Sequence, residues 1–409
     1  MPYDEADNRD RVAALRQKGV DVWGPERVYI ADDVNLDWIE PGAEIRHATL
    51  AGSTLRIGRG ARVGTTGHAL IEDCQIAAHV TLGAGSFQGV TLLEGASVRG
   101  FAELRSGTLL EEETEAAHTV AFKNTILTAG CVTGSVINYC DVFMSGGTSR
   151  NDHCEVGSGA IHFNFDPRGD KWGSLAGDAR GLLLRSAPVF LGGQCGIVGP
   201  AHIDFGAVTA AGSVIRKDVG ADIVSFEGVG TSEITGFDRE IYAGLKRKFL
   251  TTAKLIGNLW AFDRWYETIR LPHATDEERP FFEAAREQAS IHIKERVRRL
   301  GKIITKLPRS IEKSTRHGDA KVQRYRDEHR MLIEQWPSLE ELYSKKPESP
   351  QPPAAFAQAY GEARAAGKNH VAAVQSSDAG ASETTAWLLQ IADGVRQNTA
   401  SIFGSNESS

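Results

Sequence analysis

Small or aliphatic residues recur at every sixth position over much of this chain, and this period restricts the fold more than any other feature. The cleanest run is Leu191, Ile197, Ile203, Thr209 and Ile215, one hexad apart. A period of six matches neither the 3.6 residues of a helical turn nor the two-residue alternation of an ordinary strand. It is typical of a parallel β-helix, in which three hexads form one triangular coil with the aliphatic side chains inside.

Glycine is the second sign of this architecture. The chain has 43 glycines in 409 residues, about 10%, against the ~7% of an average protein. Tight corners often need the positive φ that glycine adopts without strain. Further hexads, IEPGAE, IGRGAR, LEGASV and VGSGAI, begin at residues 39, 57, 93 and 156. The sequence therefore predicts a mainly β fold, a left-handed parallel β-helix with a C-terminal α-helical extension.

Outside the repeats the chain divides into segments of different character. Residues 238–346 have no hexads but carry apolar stripes at spacings of three and four, such as Phe281, Ala285, Ala289, Ile293, Val297 and Leu300. Residues 347–382 are rich in Pro, Ala, Ser and Gln, which is typical of a flexible linker. The predicted division is an N-terminal helix and lead-in, the left-handed β-helix, an α-helical region, the flexible linker, and a short amphipathic helix with a tail, at 1–27, 28–237, 238–346, 347–382 and 383–409.

Composition argues against several classes of protein. No stretch reaches the roughly 18 to 20 apolar residues of a membrane-spanning helix, and the charged start lacks the apolar run of a signal peptide, so we expect a cytoplasmic protein. A net charge of −7 argues against nucleic-acid binding by the chain as a whole. The five cysteines include no C-x-x-C pair, which favours reduced thiols over disulfides.

The helical region is more basic than the rest of the chain. Its densest stretch, KERVRRLGKIITKLPRSIEKSTR, holds nine basic and two acidic residues. A solvated face, or a contact with the acidic β-helix of another subunit, is one interpretation of this stretch. Binding of phosphate on a cofactor, a nucleic acid or a lipid is the other. The helical region is also the predicted contact for a protein partner.

Four strings between residues 102 and 219 resemble the acetyltransferase half of the bifunctional bacterial enzymes that make UDP-N-acetylglucosamine from glucosamine 1-phosphate. They are AELRSG, HTVAFKN, GSGAIHFNFDPRG and FLGGQCGIVGPAHIDFGAVTAAGSVIRKDV. The resemblance covers about half of the chain and implies a hexapeptide-repeat acyltransferase that uses acetyl-CoA or another acyl-CoA as co-substrate. The nucleotidyltransferase domain of that family has no counterpart here, so uridyltransferase activity is not expected.

The resemblance also implies a substrate site. Arg105 and Lys123 would contact the phosphates of a sugar nucleotide, Arg through its planar fork and Lys as a point charge. Asn164 would hydrogen-bond the sugar. Phe165 stands where the family has Tyr and keeps a stacking face, while Lys171 lies one residue from the position of a substrate-binding Lys.

The same resemblance implies an acyl-CoA groove along the coils, lined by Ser158, Gly193 and Ala211. The small size of these residues would let the pantetheine arm lie against the backbone. Related β-helices form trimers with their sites between neighbouring subunits, and we therefore expect a homotrimer.

The catalytic base is where the chain departs from the family. Acyl transfer to an amine needs a group that takes up a proton near neutral pH, usually His. The family places His in G-H-L-T-Y-L-G-D, and the matching GSVINYCD has Ser135 in that position. Two other histidines are candidates, His162 and His153, the second flanked by Asp152 and Glu155. Their spacing does not fit a metal-ligand set, so no metal is expected.

Two functions remain open at this point. One is an acyl-CoA-dependent acyltransferase acting on an amino-sugar phosphate or a sugar nucleotide. The other is a non-catalytic protein that binds a sugar nucleotide or serves as a scaffold, having lost the histidine of the family.

Overall fold

A parallel β-solenoid with three faces occupies the first half of the molecule. The computed structural model describes residues 5–226, 238–314 and 320–403, and strands run through it from Asp21 to Ser225. The predicted parallel β-helix with a helical C-terminal extension is confirmed. The last residues of the predicted β-helix, 227–237, and the end of the predicted tail, 404–409, lie outside the described residues.

Each face is a ladder of short parallel strands from successive coils. Face 1 is an eleven-stranded sheet, formed by Asp21–Val22, Glu44–Ile45, Arg62–Val63, Thr81–Leu82, Ser97–Val98, Glu115–Ala116, Val132–Thr133, Glu155–Val156, Phe190–Leu191, Val208–Thr209 and Val224–Ser225. Face 2 is formed by Val28–Ile30, Ala48–Ala51, Ala69–Glu72, Gly85–Gln88, Ala102–Leu104, Ile161–Phe163, Gly196–Val198 and Val214–Ile215. Face 3 is formed by Arg56–Ile57, Gln75–Ile76, Thr91–Leu92, Leu109–Leu110, Ser174–Ala176 and His202–Ile203. Two bent strands, Ala121–Leu127 and Asn138–Met144, run across faces 2 and 3 and join them into one sheet.

The inward side chains of each face stack in columns, as the six-residue period predicts. On face 3, Ile57 is paired with Ile76, and Leu92 with Leu110, in consecutive coils. All four are completely buried in one continuous aliphatic core. Burial of one such side chain contributes about 1.5 to 3 kcal/mol, so the column itself stabilises the stacking of coils.

The N-terminal helix α1, Glu5–Gln17, covers the first coil. Val12 and Leu15 on this helix belong to the aliphatic core of the solenoid. Asn8 donates from Nδ2 to the carbonyl of Val28 (3.0 Å) and accepts at Oδ1 from the amide of Ile30 (2.9 Å). Its amide group thus hydrogen-bonds the first strand of face 2 as a neighbouring strand would.

The C-terminal helices pack on the outside of face 3. They are Leu245–Trp265 (α2), Arg279–Ile304 (α3), Leu307–Ser314 (α4), Ala320–Ser344 (α5), Ala354–Ala365 (α6), His370–Gln375 (α7) and Ala381–Ile402 (α8). Face 3 turns apolar side chains outward as well as inward, and these form a second core with the helices that includes Leu109, Ile126, Phe143 and Leu175. Among the described residues no helix combines the length and the apolar character needed to cross a bilayer.

The segment predicted as a flexible linker contains helices instead. α6 and α7 lie within 347–382, and Phe356 and Tyr360 of α6 are fully buried in the second core. The Pro- and Ala-rich composition gave no sign of these helices. α6 is nevertheless held on the core, because two buried aromatic side chains supply enough apolar contact to fix a short helix there. The amphipathic helix predicted after it is α8, which begins at Ala381, inside the predicted linker, and buries Trp387, Leu388 and Ile391.

A buried charge cluster fixes the helices to the solenoid. Arg270, which follows α2, is completely buried and donates to Glu111 (Nη1 to Oε1, 2.9 Å) and to Glu112. Tyr266 donates its hydroxyl to Glu111 as well. Burial raises the pKa of Glu111 to about 7, although Arg270 acts in the opposite direction. Glu111 therefore relies on Arg270 as its buried counter-ion.

Replacing Arg270 by Ala should destabilise the protein strongly. The change leaves Glu111 and Glu112 buried without their cation, and such a loss costs about 3 to 5 kcal/mol. Urea unfolding followed by circular dichroism measures the free energy of unfolding. The control is Arg330→Ala on α5, whose exposed pair with Asp327 should contribute under about 1 kcal/mol. Equal losses in the two variants would contradict the assigned role of Arg270.

Candidate functional site

A group of cations lies along one outer row of face 2. The amide of Arg105 donates to the carbonyl of Phe122 (2.9 Å), which puts Arg105 beside Lys123, and Lys123 is paired with Cys140 on the following coil. Lys171 reaches the same row from the loop after residue 163, where it forms a bridge with Phe165. Burial and Asp141 raise the pKa of the Cys140 thiol, while Arg105, Lys171 and Lys123 lower it. All three predicted phosphate and substrate cations therefore lie close enough to the Cys140 thiol to act on its pKa.

Asn164, predicted to bind the sugar, is held in place by the buried carboxylate of Asp141. It is only 7% exposed, and its Nδ2 donates to Oδ2 of Asp141 (2.6 Å). The other oxygen of Asp141 accepts from Asn124 (3.0 Å) and from Arg296 of α3. Burial alone would raise the pKa of Asp141, but Arg296 and the two amides hold it below its usual value. These hydrogen bonds fix the orientation of Asn164, and one of the residues that make them, Arg296, belongs to the helical region.

Phe165, in contrast, points away from the protein. Its side chain is 66% exposed, directly beside the buried Asn164. The bridge between Phe165 and Lys171 closes a turn over the intervening residues. An aromatic ring in this position is available for stacking on a ligand or for contact with another chain.

The residues predicted to line the acyl-CoA groove form a column at the corner between faces 1 and 2. Val156, Leu191 and Thr209 are paired in consecutive coils, and the groove residues Ser158, Gly193 and Ala211 each lie two positions later. The backbone N–H of Gln194 donates to the carbonyl of Ser158 (2.8 Å), and the backbone N–H of Gly212 donates to the carbonyl of Gly193 (2.9 Å). The corner is narrow, since a Cβ on Gly193 would come within 3.1 Å of the Ser158 carbonyl oxygen.

Ser135 belongs to this same column. Its amide donates to Oγ of Ser158 (3.1 Å), so Ser135 lies next to the first of the residues predicted to line the groove. The following residue, Val136, has a φ of 61°, a conformation that is strained for a β-branched side chain. The corresponding corner position in the next coil is Gly159, with a φ of 79°.

The two histidines proposed as replacement bases lie in different surroundings. His162 is buried, with Nδ1 2.6 Å from the carbonyl of Cys140 and Nε2 2.8 Å from Oγ of Ser174. Burial lowers the pKa of His162 to about 4. Both ring nitrogens are therefore engaged, and the ring is neutral at pH 7 without a free lone pair.

His153 is partly exposed in the antiparallel hairpin formed by Gly147–Ser149 and Asp152–His153. Its Nδ1 lies 2.8 Å from the carbonyl of Arg150. The residue precedes the face 1 strand Glu155–Val156, and Ser158 follows that strand. Within one chain, His153 and the groove column therefore lie at opposite edges of face 1.

Sequence reasoning did not identify the residues that support Asn164 from the helical side. Arg296 is 1% exposed, and its neighbour on α3, His292, is completely buried. Burial first, and then the charge of Arg296, lower the pKa of His292 to about 3. No local motif marks Arg296, because its partner Asp141 is 155 positions earlier in the chain.

Comparison with known proteins gives a partial match. No protein-family model matches the chain. The protein named bifunctional protein GlmU of Nitratidesulfovibrio vulgaris (strain DP4) is 31% identical over 202 residues, 49% of this chain and 40% of that protein. Those of Trichlorobacter lovleyi and Acinetobacter baumannii (strain AYE) are each 30% identical, over 212 and 229 residues.

These matches cover about half of this chain, while the chain spans between 40% and 44% of the length of these curated relatives. Together with the parallel β-solenoid, they confirm that the chain resembles the hexapeptide-repeat acetyltransferase half of the bifunctional GlmU proteins.

Proposed function

We propose that this protein is an acyl-CoA-dependent acyltransferase that acts on the amino group of an amino-sugar phosphate or a sugar nucleotide. The observation that carries the proposal is that Arg105 and Lys123 lie side by side on face 2, with Lys171 acting on the same Cys140 thiol and the fixed amide of Asn164 bonded to the neighbouring Asp141. Guanidinium and ammonium groups in this arrangement suit the phosphates of such a substrate. Asn164 is left with its Oδ1 to accept a hydrogen bond from a sugar hydroxyl.

The second half of the proposal is the acyl donor, acetyl-CoA or a related acyl-CoA. Ser158, Gly193 and Ala211 form a row of small residues at one corner. A row without large side chains leaves the backbone accessible, and an extended pantetheine arm can lie along it. Ser135 lies at the top of this row and would stand in the position of the family histidine.

A second candidate function has a specific observation in its favour. The histidine of the family is replaced by Ser135, and the nearby His162 has both nitrogens engaged and a pKa of about 4. A protein of this kind would bind a sugar nucleotide without transferring an acyl group. His153 is the remaining predicted base, and it lies at the other edge of face 1. Whether a His153 side chain can reach the groove column therefore distinguishes the two candidates.

We further propose that the chain forms a homotrimer in which His153 of one subunit approaches the groove column of the next. Exposed apolar side chains concentrate on the C-terminal coils of faces 1 and 2, namely Ile161, Phe163, Phe165, Phe190, Val224 and Phe226. Large exposed patches of this kind mark protein contacts. A closed ring would cover these side chains. It would also bring one edge of face 1 in one subunit next to the opposite edge of face 1 in its neighbour.

Light scattering coupled to size exclusion tests the assembly. We expect a mass of three chains, each of 44.3 kDa. Phe190→Asp should shift the protein toward the monomer, because it puts a charge into an apolar contact. Leu70→Asp, an exposed apolar residue of an early coil on face 2, should leave the mass unchanged. A wild-type monomer would contradict the assembly and the shared site.

Loss of the cations should weaken substrate binding. In isothermal titration with UDP-N-acetylglucosamine and with glucosamine 1-phosphate, Arg105→Ala and Lys123→Ala should each lower the affinity about 10- to 100-fold, the effect of losing a charged hydrogen bond of about 1.5 to 3 kcal/mol. The control is Arg62→Ala on face 1, an exposed arginine of the same scaffold. Unchanged affinity in both site variants would refute the phosphate site.

Filling the corner should stop acyl transfer without affecting the sugar site. In Ala211→Trp the indole would lie across the groove, so acetyl-CoA binding should be lost while the affinity for the sugar phosphate is retained. A thiol-release assay with acetyl-CoA and glucosamine 1-phosphate then separates the candidate functions. Turnover that disappears in Ala211→Trp and falls in His153→Ala supports the transferase. Retained sugar-nucleotide binding with no acetyl-CoA binding at millimolar concentration supports the non-catalytic protein.

A further inference from the structure

A loop formed by residues 164–172 carries three of the predicted substrate residues, and we call it the acceptor loop. These residues are Asn164, Phe165 and Lys171. The backbone N–H of Trp172 donates to the carbonyl of Asn164 (2.6 Å), and the backbone N–H of Asp166 donates to the carbonyl of Asp170 (3.1 Å). The acceptor loop is therefore a closed turn that leaves face 2 and returns to face 3.

The carboxylate of Asp170 ties this turn to the helical region. Asp170 is only 3% exposed. Its Oδ2 accepts from the hydroxyl of Tyr242 (2.7 Å), and its Oδ1 accepts from Nζ of Lys306 (2.6 Å). The same ammonium group donates to the carbonyl of Arg168 (3.0 Å). Both oxygens of a buried carboxylate in the loop are thus bonded by side chains of the helical region.

Tyr242 and Lys306 are themselves held by the helices. Tyr242 precedes α2 and is 4% exposed, and its backbone N–H donates to Oγ of Ser310 on α4 (2.9 Å). The guanidinium group of Arg168 lies over the ring of Tyr242, 4.9 Å from its centre. Lys306 lies in the short connection between α3 and α4. The acceptor loop therefore rests on an ordered part of the helical region.

Arg296 of α3 holds the two ends of the same loop. It pairs with Asp141, which in turn accepts from Asn164 at the start of the loop (2.6 Å). Its Nη1 lies 3.4 Å from the carbonyl oxygen of Lys171 near the end of the loop. Contacts with the helical region thus extend over the whole loop, from Asn164 to Lys171.

These contacts also account for two cations of the basic stretch in the helical region. Arg296 and Lys306 both belong to that stretch, and they pair with the solenoid carboxylates of Asp141 and Asp170 in the same chain. A phosphate that bound either cation would leave a buried carboxylate without its partner, which is strongly unfavourable. The two cations are therefore better suited to holding the loop than to binding a ligand.

We propose that Tyr242 and Lys306 are positioning residues of the substrate site, which act through Asp170 to hold the acceptor loop in the shape that lets Asn164 and Lys171 contact the substrate together. The inference rests on the proposed function and adds to it residues that do not touch the ligand. A loop that is already held in its binding shape loses less conformational entropy when the ligand binds. The helical region would thereby control the sugar half of the site, while the acyl-CoA corner is formed by the coils alone.

Hydrogen exchange followed by mass spectrometry tests the clamp on the full chain without a ligand. In Tyr242→Phe and in Lys306→Met, the amides of Asp166 and Trp172 should exchange about tenfold faster, because local opening becomes easier when Asp170 loses a partner. Both changes keep the size of the side chain. Peptides from face 1, such as the one that contains Leu191, should exchange as in the wild type.

Two matched controls have their partners within the helical region. Tyr343→Phe removes a buried hydroxyl that accepts from Thr399 (3.1 Å), and Lys346→Met removes an ammonium group that pairs with Asp263 (3.3 Å). Exchange in the acceptor loop should be unchanged in both.

Isothermal titration then distinguishes positioning from general stabilisation. In Tyr242→Phe and Lys306→Met the affinity for glucosamine 1-phosphate should fall about tenfold, the effect of losing one hydrogen bond of about 1.4 kcal/mol, while the affinity for acetyl-CoA stays the same. The two controls should keep the affinity for the sugar phosphate even if their Tm falls by as much. A uniform loss of stability would not affect one ligand alone.

The possible failures are distinguishable. A wild-type chain that binds neither glucosamine 1-phosphate nor UDP-N-acetylglucosamine overturns the proposed function, and the positioning role falls with it. If the wild type binds either ligand, unchanged affinity or unchanged loop exchange in both Tyr242→Phe and Lys306→Met overturns the positioning role alone. An equal loss of acetyl-CoA affinity would also overturn it, because the two residues would then support the fold as a whole.

Discussion

The stacking of inward aliphatic side chains is the interaction on which the rest of this molecule depends. A coil of short strands has too few hydrogen bonds of its own to be stable, and it closes only because side chains such as Leu92 and Leu110 are buried against the coils on either side. Once the columns are formed, every corner recurs at a fixed height. Residues at equivalent corners, such as Ser158, Gly193 and Ala211, then lie in a row whatever their separation in the sequence.

The helical region depends on the solenoid in turn, and it modifies the site that the solenoid presents. Face 3 carries outward apolar residues that need a cover, and α2 and α3 provide it. The seam between the two parts contains buried charge groups, of which Arg270 with Glu111 and Arg296 with Asp141 are the most enclosed. The second group reaches Asn164 through Asp141. A change in the packing of α3 would therefore alter the orientation of an amide at the candidate site.

Much of the fold could be predicted from the sequence because a period of six has one common structural meaning. The resemblance, and not the register, implied that Ser158, Gly193 and Ala211 line one groove along the coils; in the structure they share one corner. What could not be predicted are contacts between segments far apart in the chain. The segment around Phe356 and Tyr360 has a linker-like composition, yet it is helical because its aromatic residues find a core. The burial of His162 likewise depends on the strand Ser174–Ala176, and no spacing rule gives the path of the loop that leads to this strand.

The first coil illustrates how an open-ended architecture is terminated. A solenoid is a stack in which each end exposes strand edges able to pair with another chain. Asn8 of α1 occupies the hydrogen-bonding groups of Val28 and Ile30 on that edge, while Val12 and Leu15 seal the aliphatic column beneath it. These backbone groups are therefore not available to pair with another chain, which favours the proposed assembly through the sides of the solenoid over growth through this end. A side-by-side assembly can close into a ring of finite size, whereas end-to-end growth would produce fibres.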